Sequence, residues 1–223
     1  MKIYLLPGLG FDHQIFSKLQ LKESNVQYIN WIEPLKNEDI KMYSKRLAQD
    51  IISNDSEKIV LIGHSLGGIV SQEIACFKKI DKIILISSIK SRDEMPFQFR
   101  IIQPLFLHKL FTKSWTVSTV RFWGKQHDYE TKEEQELFKD MVGKQSNQYL
   151  QWALKALSIW KHPTVPDETS VIQINGDSDK TFPIKLINTP HHVIKNGGHF
   201  MIYKHAEALS KIINDELKLK NVP

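Results

Sequence analysis

Six short, β-rich apolar runs separated by stretches of helical period constrain this chain more than any other feature of its 223 residues. Residues 2–6 (KIYLL) stop at Pro7-Gly8, and residues 26–31, 58–63, 82–88, 171–175 and 191–194 repeat the pattern of a buried strand entering a turn. Between them, residues 39–53 carry Ile40, Tyr43, Leu47, Ile51 and Ile52 along one stripe with charges opposite. Residues 66–77 and 205–219 read as two more helices, the last with Ala208, Leu209, Ile212, Ile213 and Leu217 apolar. Such alternation joins parallel strands through right-handed crossovers. The expected fold class is therefore α/β, a doubly wound, mostly parallel six-stranded sheet covered by helices on both faces.

The alternation breaks after Ser88, where about 75 residues without strand signals precede Val171, far more than an ordinary connection needs. Residues 89–163 therefore read as a helical insertion between two parts of one core, residues 1–88 and 164–223. Helical stretches are expected at 97–111, 133–142 and 148–160. Four of the five tryptophans, Trp115, Trp123, Trp152 and Trp160, fall in the insertion, where they either fill its own small core or wall a pocket. The insertion also holds twelve Lys or Arg against eight Asp or Glu, and its stretch 100–125 has five basic residues and no acidic one.

Composition excludes several classes. Hydrophobic residues make up 41% and charged residues 25%, which is neither disordered nor fibrous. Cys76 is the single cysteine, so an intrachain disulfide and a zinc site built on several thiolates are both ruled out, and a reducing, cytoplasmic setting is expected. The opening MKIYLLPG offers too few apolar residues for a signal-peptide core. No run reaches the roughly 18 apolar residues of a membrane helix; the nearest, 101–110, is interrupted by Gln103, Pro104 and His108. Basic residues outside one stretch are diluted by acids and no recognition motif is present, so nucleic acid is not an expected partner. Gly8-Leu9-Gly10 lacks the third glycine of a dinucleotide loop.

The segment Gly63-His64-Ser65-Leu66-Gly67-Gly68 follows the apolar run 59–62 and opens the helix at 66. A G-x-S-x-G pattern at a strand-to-helix turn holds its serine in strained geometry with the hydroxyl above the carboxyl edge of the sheet, where open α/β folds bind ligands. Ser65 is thus a candidate nucleophile, the bland alternative being a serine that caps its helix. The amide of Leu66, at the start of that helix, is a candidate donor to an oxyanion.

With this elbow the chain resembles the α/β-hydrolase family, in which nucleophile, acid and base follow in that order. Gly176-Asp177-Ser178-Asp179-Lys180-Thr181-Phe182-Pro183 is similar to the family's Gly-x-x-Asp-x-x-x-Pro loop, which implies Asp179 as the acid, with Asp177 as near rival and Asp93 as a distant third. Asn196-Gly197-Gly198-His199-Phe200 is similar to the family's histidine loop and implies His199 as the base. His64 is expected to face away from the chemistry, and His191 and His192 to belong to the final strand. The resemblance further implies the amide of Leu9, in Pro7-Gly8-Leu9-Gly10, as a second oxyanion donor. It implies a six-stranded sheet lacking the family's first two strands, and a lid formed by residues 89–163.

The expected activity is hydrolysis of a small or medium carboxylic ester, or of a thioester, through an acyl-enzyme on Ser65, with no metal and no organic cofactor. The basic, aromatic insertion reads in either of two ways: it favours a small-molecule substrate with an apolar acyl part, with an anionic tail or a membrane surface nearby, or it is simply a solvated basic face. Two rivals stand beside this reading. The same three residues serve C–C cleavage, elimination or acyl transfer elsewhere, and a binding protein of this fold keeps the pocket without turnover.

Overall fold

The computed structural model describes residues 1–51, 57–124 and 128–218. Six strands, β1 (Lys2–Leu6), β2 (Val26–Tyr28), β3 (Ile59–His64), β4 (Lys82–Ile86), β5 (Ser170–Gly176) and β6 (His192–Ile194), form one sheet in the order β2-β1-β3-β4-β5-β6. Every neighbouring pair is parallel. The central strands β3 and β4 are buried along their whole length, as a sheet covered on both faces requires.

Helix α1 (Ile40–Ile51) buries Ile40, Tyr43, Leu47 and Ala48. The expected extension of its stripe to Ile52 and Ser53 lies outside the described residues, as does Leu219 beyond the C-terminal helix. Helix α2 (Leu66–Ala75) is buried all round, which suits the helix that leaves the centre of the sheet.

The β4–β5 connection contains α3 (Phe97–Arg100), α4 (Lys113–Trp123), α5 (Lys132–Gly143) and α6 (Asn147–Ile159), and the chain closes with α7 (Met201–Lys204) and α8 (Ala206–Lys218). Here the structure corrects the single helix expected over 97–111. Only Phe97–Arg100 is α-helical; turns follow, then a 3₁₀ turn at Leu107–Leu110. Pro104 has no amide to donate, and Phe106 takes a left-handed conformation (φ 54°) that ends the coil. Helix α4 was not expected from periodicity. Thr112 caps it by accepting the amide of Trp115, while Thr116, Val117, Thr119 and Val120 weaken its intrinsic propensity.

One close approach fixes how the layers meet. A Cβ on Gly67 would stand 2.2 Å from the carbonyl oxygen of Leu6 and 2.5 Å from that of Pro7, so the first turn of α2 lies directly against the end of β1. A Cβ on Gly63 would stand 2.4 Å from the amide nitrogen of Gly68, which leaves no room for a side chain inside the turn. Both obstacles are backbone and cannot rotate aside.

Farther along α2, the Trp160 indole donates to Glu73 Oε1 at 2.8 Å in the interior. Burial raises the Glu73 carboxyl above its ordinary value of 4.5, opposed by that hydrogen bond and by Lys41. A carboxyl that holds its proton more tightly folded than unfolded makes stability fall as pH rises from its unfolded value through its raised folded value.

Gly67→Ala should lose about 3 kcal/mol or more of stability, whereas Gly143→Ala, where a Cβ meets nothing within 4 Å, should gain up to about 1 kcal/mol; urea titrations compare them. Glu73→Gln keeps an acceptor for Trp160 and removes the buried charge. It should therefore be more stable than the native chain at about pH 8, with the advantage shrinking toward about pH 4, as denaturation midpoints at the two values will read.

Candidate active site

The turn between β3 and α2 carries Ser65 with φ 52° and ψ −117°, a conformation that side-chain-bearing residues rarely adopt. Its amide donates to the carbonyl of Ile86 at 3.0 Å, and its own carbonyl accepts the Ser88 hydroxyl at 2.7 Å. The Ser65 hydroxyl makes no capping bond to α2, which removes the capping alternative. Instead it meets Nε2 of His199 at 3.0 Å.

His199 lies on the loop between β6 and α7. Its Nδ1 faces Oδ2 of Asp179 at 2.9 Å. Because a carboxylate only accepts, the proton sits on Nδ1 and leaves Nε2 free to accept from the serine. Asp179 is aimed by its own turn: its Oδ1 accepts the amides of Thr181 at 2.7 Å and Phe182 at 3.0 Å, so the second oxygen points at the ring. All three groups are buried, with Ser65 at 6%, Asp179 at 3% and His199 at 8% exposure.

The rival carboxylates are elsewhere. Asp177 is exposed and accepts the Ser178 hydroxyl at 3.0 Å. Asp93 is exposed beyond β4. His192 meets Glu216 at 2.8 Å, away from the row.

His64 departs from expectation. Rather than facing away, its Nε2 contacts the carbonyl oxygen of His199 at 3.0 Å, with the two ring centroids 5.2 Å apart. A carbonyl only accepts, so Nε2 carries the proton and Nδ1 is a buried acceptor with no partner among the described residues. Burial first, and then the nearby His199, push the His64 pKa down to about 3, so the ring is neutral. It holds the backbone of His199 without taking up a proton itself.

A second set of residues escaped sequence reasoning. The Ser88 carbonyl accepts from Gln173 Nε2 at 3.1 Å and Asn175 Nδ2 at 3.2 Å, and Gln173 also reaches the buried Glu94 at 3.0 Å. Glu94 accepts the amides of Lys90 and Asn188 as well. Two amide side chains inside a strand otherwise reading as apolar were the available signal.

The loop at Pro7–Gly10 runs beside the elbow. Trp31 donates to the Gly8 carbonyl at 3.1 Å, and a Cβ on Gly8 would stand 2.8 Å from His64 Nδ1. Val142 and Leu150 of the β4–β5 connection stand over Gly10, 3.1 and 3.7 Å from where its Cβ would be. Leu66 opens α2, so its amide lies in the first turn, where no intrahelical acceptor exists. Phe182 meets the His199 ring at 5.6 Å, and Phe11 and Phe200 pack 6.2 Å apart nearby. A cleft of about 760 Å³ near Glu73, Cys76 and Trp160 belongs to the other end of α2 and is lined by none of the three residues. Among the described residues no group of His, Cys, Asp and Glu could hold a metal ion.

Comparison with known proteins agrees with this architecture. The chain is similar to an esterase from Exiguobacterium antarcticum (17% identity, TM-score 0.75, covering 98% of this chain and 92% of that one). It is similar to MenH from S. aureus (18%, 0.73, 98% and 93%), and to a hydrolase from Pseudomonas aeruginosa (13%, 0.74, 97% and 89%). No curated protein sequence matches it. Residues 3–212 match the Alpha/beta hydrolase family, and the chain is an enzyme of that family.

Proposed function

We propose that the chain is a serine hydrolase that cleaves a small or medium carboxylic ester, or a thioester, through an acyl-enzyme on Ser65. The observation that carries this reading is the unbroken row of hydrogen bonds from the Ser65 hydroxyl through His199 to Asp179. A serine hydroxyl is a weak nucleophile until an imidazole accepts its proton as it attacks. His199 takes that proton on Nε2 and returns it to the leaving oxygen or sulfur, while Asp179 fixes the tautomer and stabilises the imidazolium. Water, activated by the same nitrogen, then releases the acid.

Negative charge on the carbonyl oxygen is stabilised by the amides of Leu66 and Leu9. The first belongs to a helix N-terminus, where the dipole favours an anion, and the second to the loop that Gly8 brings against His64. The low exposure of all three side chains strengthens these interactions.

Residues 89–163 serve as the lid. In support, Val142 and Leu150 stand over Gly10, and Asp128 presses on Gly198, whose Cβ would fall 1.9 Å from the Asp128 carboxylate. The lid thus touches both the oxyanion loop and the residue before the base. The rings and aliphatic groups around these loops suit an apolar acyl part. The names of similar structures, an esterase and a hydrolase, support the same class.

Hydrolysis of p-nitrophenyl esters of rising acyl length, alongside acyl-CoA thioesters, tests the substrate class. Ser65→Ala and Asp179→Asn should each lower kcat by about 10⁴-fold or more. A fluorophosphonate should label the native chain on Ser65 and leave Ser65→Ala unlabelled in intact-mass spectra. Equal labelling of both forms would overturn the assignment of the nucleophile.

A further inference from the structure

Among the described residues, seven of the twelve large apolar side chains left exposed fall within residues 97–122. Phe97, Leu105, Phe106, Leu110, Trp115 and Phe122 are each at least half exposed. Elsewhere such residues stand singly, as Tyr28, Leu35 and Met42 do, which is ordinary for a protein surface. The same stretch carries Arg100, Lys109, Lys113 and Arg121 and no Asp or Glu. Exposed aromatic and aliphatic groups interleaved with unopposed basic charge are the composition of an element that lies in an anionic interface.

Backbone geometry adds an independent observation. The Leu107 amide donates to the Ile102 carbonyl at 2.9 Å and the Phe106 amide to the Gln103 carbonyl at 3.0 Å, the paired bonds of a Schellman turn. Phe106 occupies its left-handed position (φ 54°), where glycine is the residue without penalty. The fold does not ask for a ring there, since the side chain is 58% exposed. What the strained turn does is hold an aromatic outward with the Lys109 ammonium 4.9 Å from the ring centroid. The Lys109 carbonyl accepts Gln151 Nε2 at 2.9 Å, which fixes this tip to α6. Strain retained at an exposed residue points to a use for that residue.

We propose that the outer face of residues 97–122 docks on an anionic phospholipid surface. Leu105, Phe106 and Leu110 enter the headgroup boundary, and Lys109 and Arg121 meet lipid phosphates. No helix among the described residues is long and apolar enough to cross a membrane, so the attachment is peripheral and weakened by salt. Within the same stretch the partly buried Phe99 meets Phe182 at 5.7 Å, and Phe182 meets His199 at 5.6 Å, so two ring contacts join this segment to the site.

The test uses the full chain carrying Ser65→Ala, so that binding is read apart from the serine chemistry and either reading can fail alone. Co-sedimentation is measured with phosphatidylcholine vesicles and with vesicles containing added phosphatidylglycerol, at low and high salt. Binding should appear only with the anionic lipid and fade with salt. The double variant Lys109→Glu and Arg121→Glu should weaken it by about tenfold or more. Phe106→Gly should bind less while melting no lower than its parent, because glycine relieves the turn; this separates lost docking from lost folding. Equal binding to neutral vesicles, no binding to either kind, or full binding by Phe106→Gly overturns the proposal. So does light scattering that finds a dimer abolished by Phe106→Gly without vesicle binding, which would assign the face to a second copy.

Discussion

The contact on which this structure depends is between backbones: the first turn of α2 against the carbonyls at the end of β1, with Gly67 as the only kind of residue that fits. That contact forces the chain to turn within one residue between β3 and α2, and Ser65 takes the strain, at roughly 1–3 kcal/mol for such a conformation. The turn in exchange delivers a hydroxyl at the carboxyl edge of the sheet, a helix N-terminus behind it and the Pro7–Gly10 loop beside it. The amide and carbonyl of Ser65 are both satisfied, by Ile86 and Ser88, so the unusual backbone leaves no orphaned polar group.

The serine and the imidazole are held by the same device. Each has its backbone carbonyl gripped by a buried side chain, Ser88 for Ser65 and His64 for His199. A hydrogen bond to a carbonyl fixes the main chain without occupying the side chain, so Oγ and Nε2 stay available to each other. Ser88 is in turn fixed by Gln173 and Asn175 on β5, and Gln173 by Glu94. Glu94 is buried and is met by two amides and a carboxamide rather than a cation. Hydrogen bonds from neutral donors thus carry order from the sheet to the elbow.

Most of the scaffold could be read from the residues, because buried parallel strands are short, apolar and bounded by turns, and all six were found within a few residues of their ends. The β4–β5 connection was read less well. Apolar periodicity over 97–111 cannot register a missing amide at Pro104 or a left-handed Phe106, and β-branched residues hid α4. Ser65 and His199 stood out because tight loops demand glycines beside them. Asp179 and Asp177 share one turn and one residue type; what separates them is that Asp179 has an oxygen held by the following amides, a backbone detail that residue type does not carry. The Ser88, Gln173 and Glu94 linkage joins residues about 80 positions apart, a separation local pattern cannot bridge.

The β4–β5 connection faces two environments, and its sequence divides accordingly. Its inner side carries Val142, Tyr149, Leu150 and Trp160, all essentially buried, against Gly10, Trp31 and the α1–α2 layer. Helices of 4, 11, 12 and 13 residues in a single layer can bury only one side, since a second apolar face would need a layer of its own. The outer side is therefore free of packing demands, and solubility alone would fill it with mixed charges, as α5 does with Glu133, Glu134, Glu136 and Lys139. Residues 97–122 depart from that default in three respects at once: apolar groups, charge of one sign and a strained turn. Solubility accounts for charge of one sign but not for exposed apolar groups or a strained turn, and those two features are what the docking proposal explains.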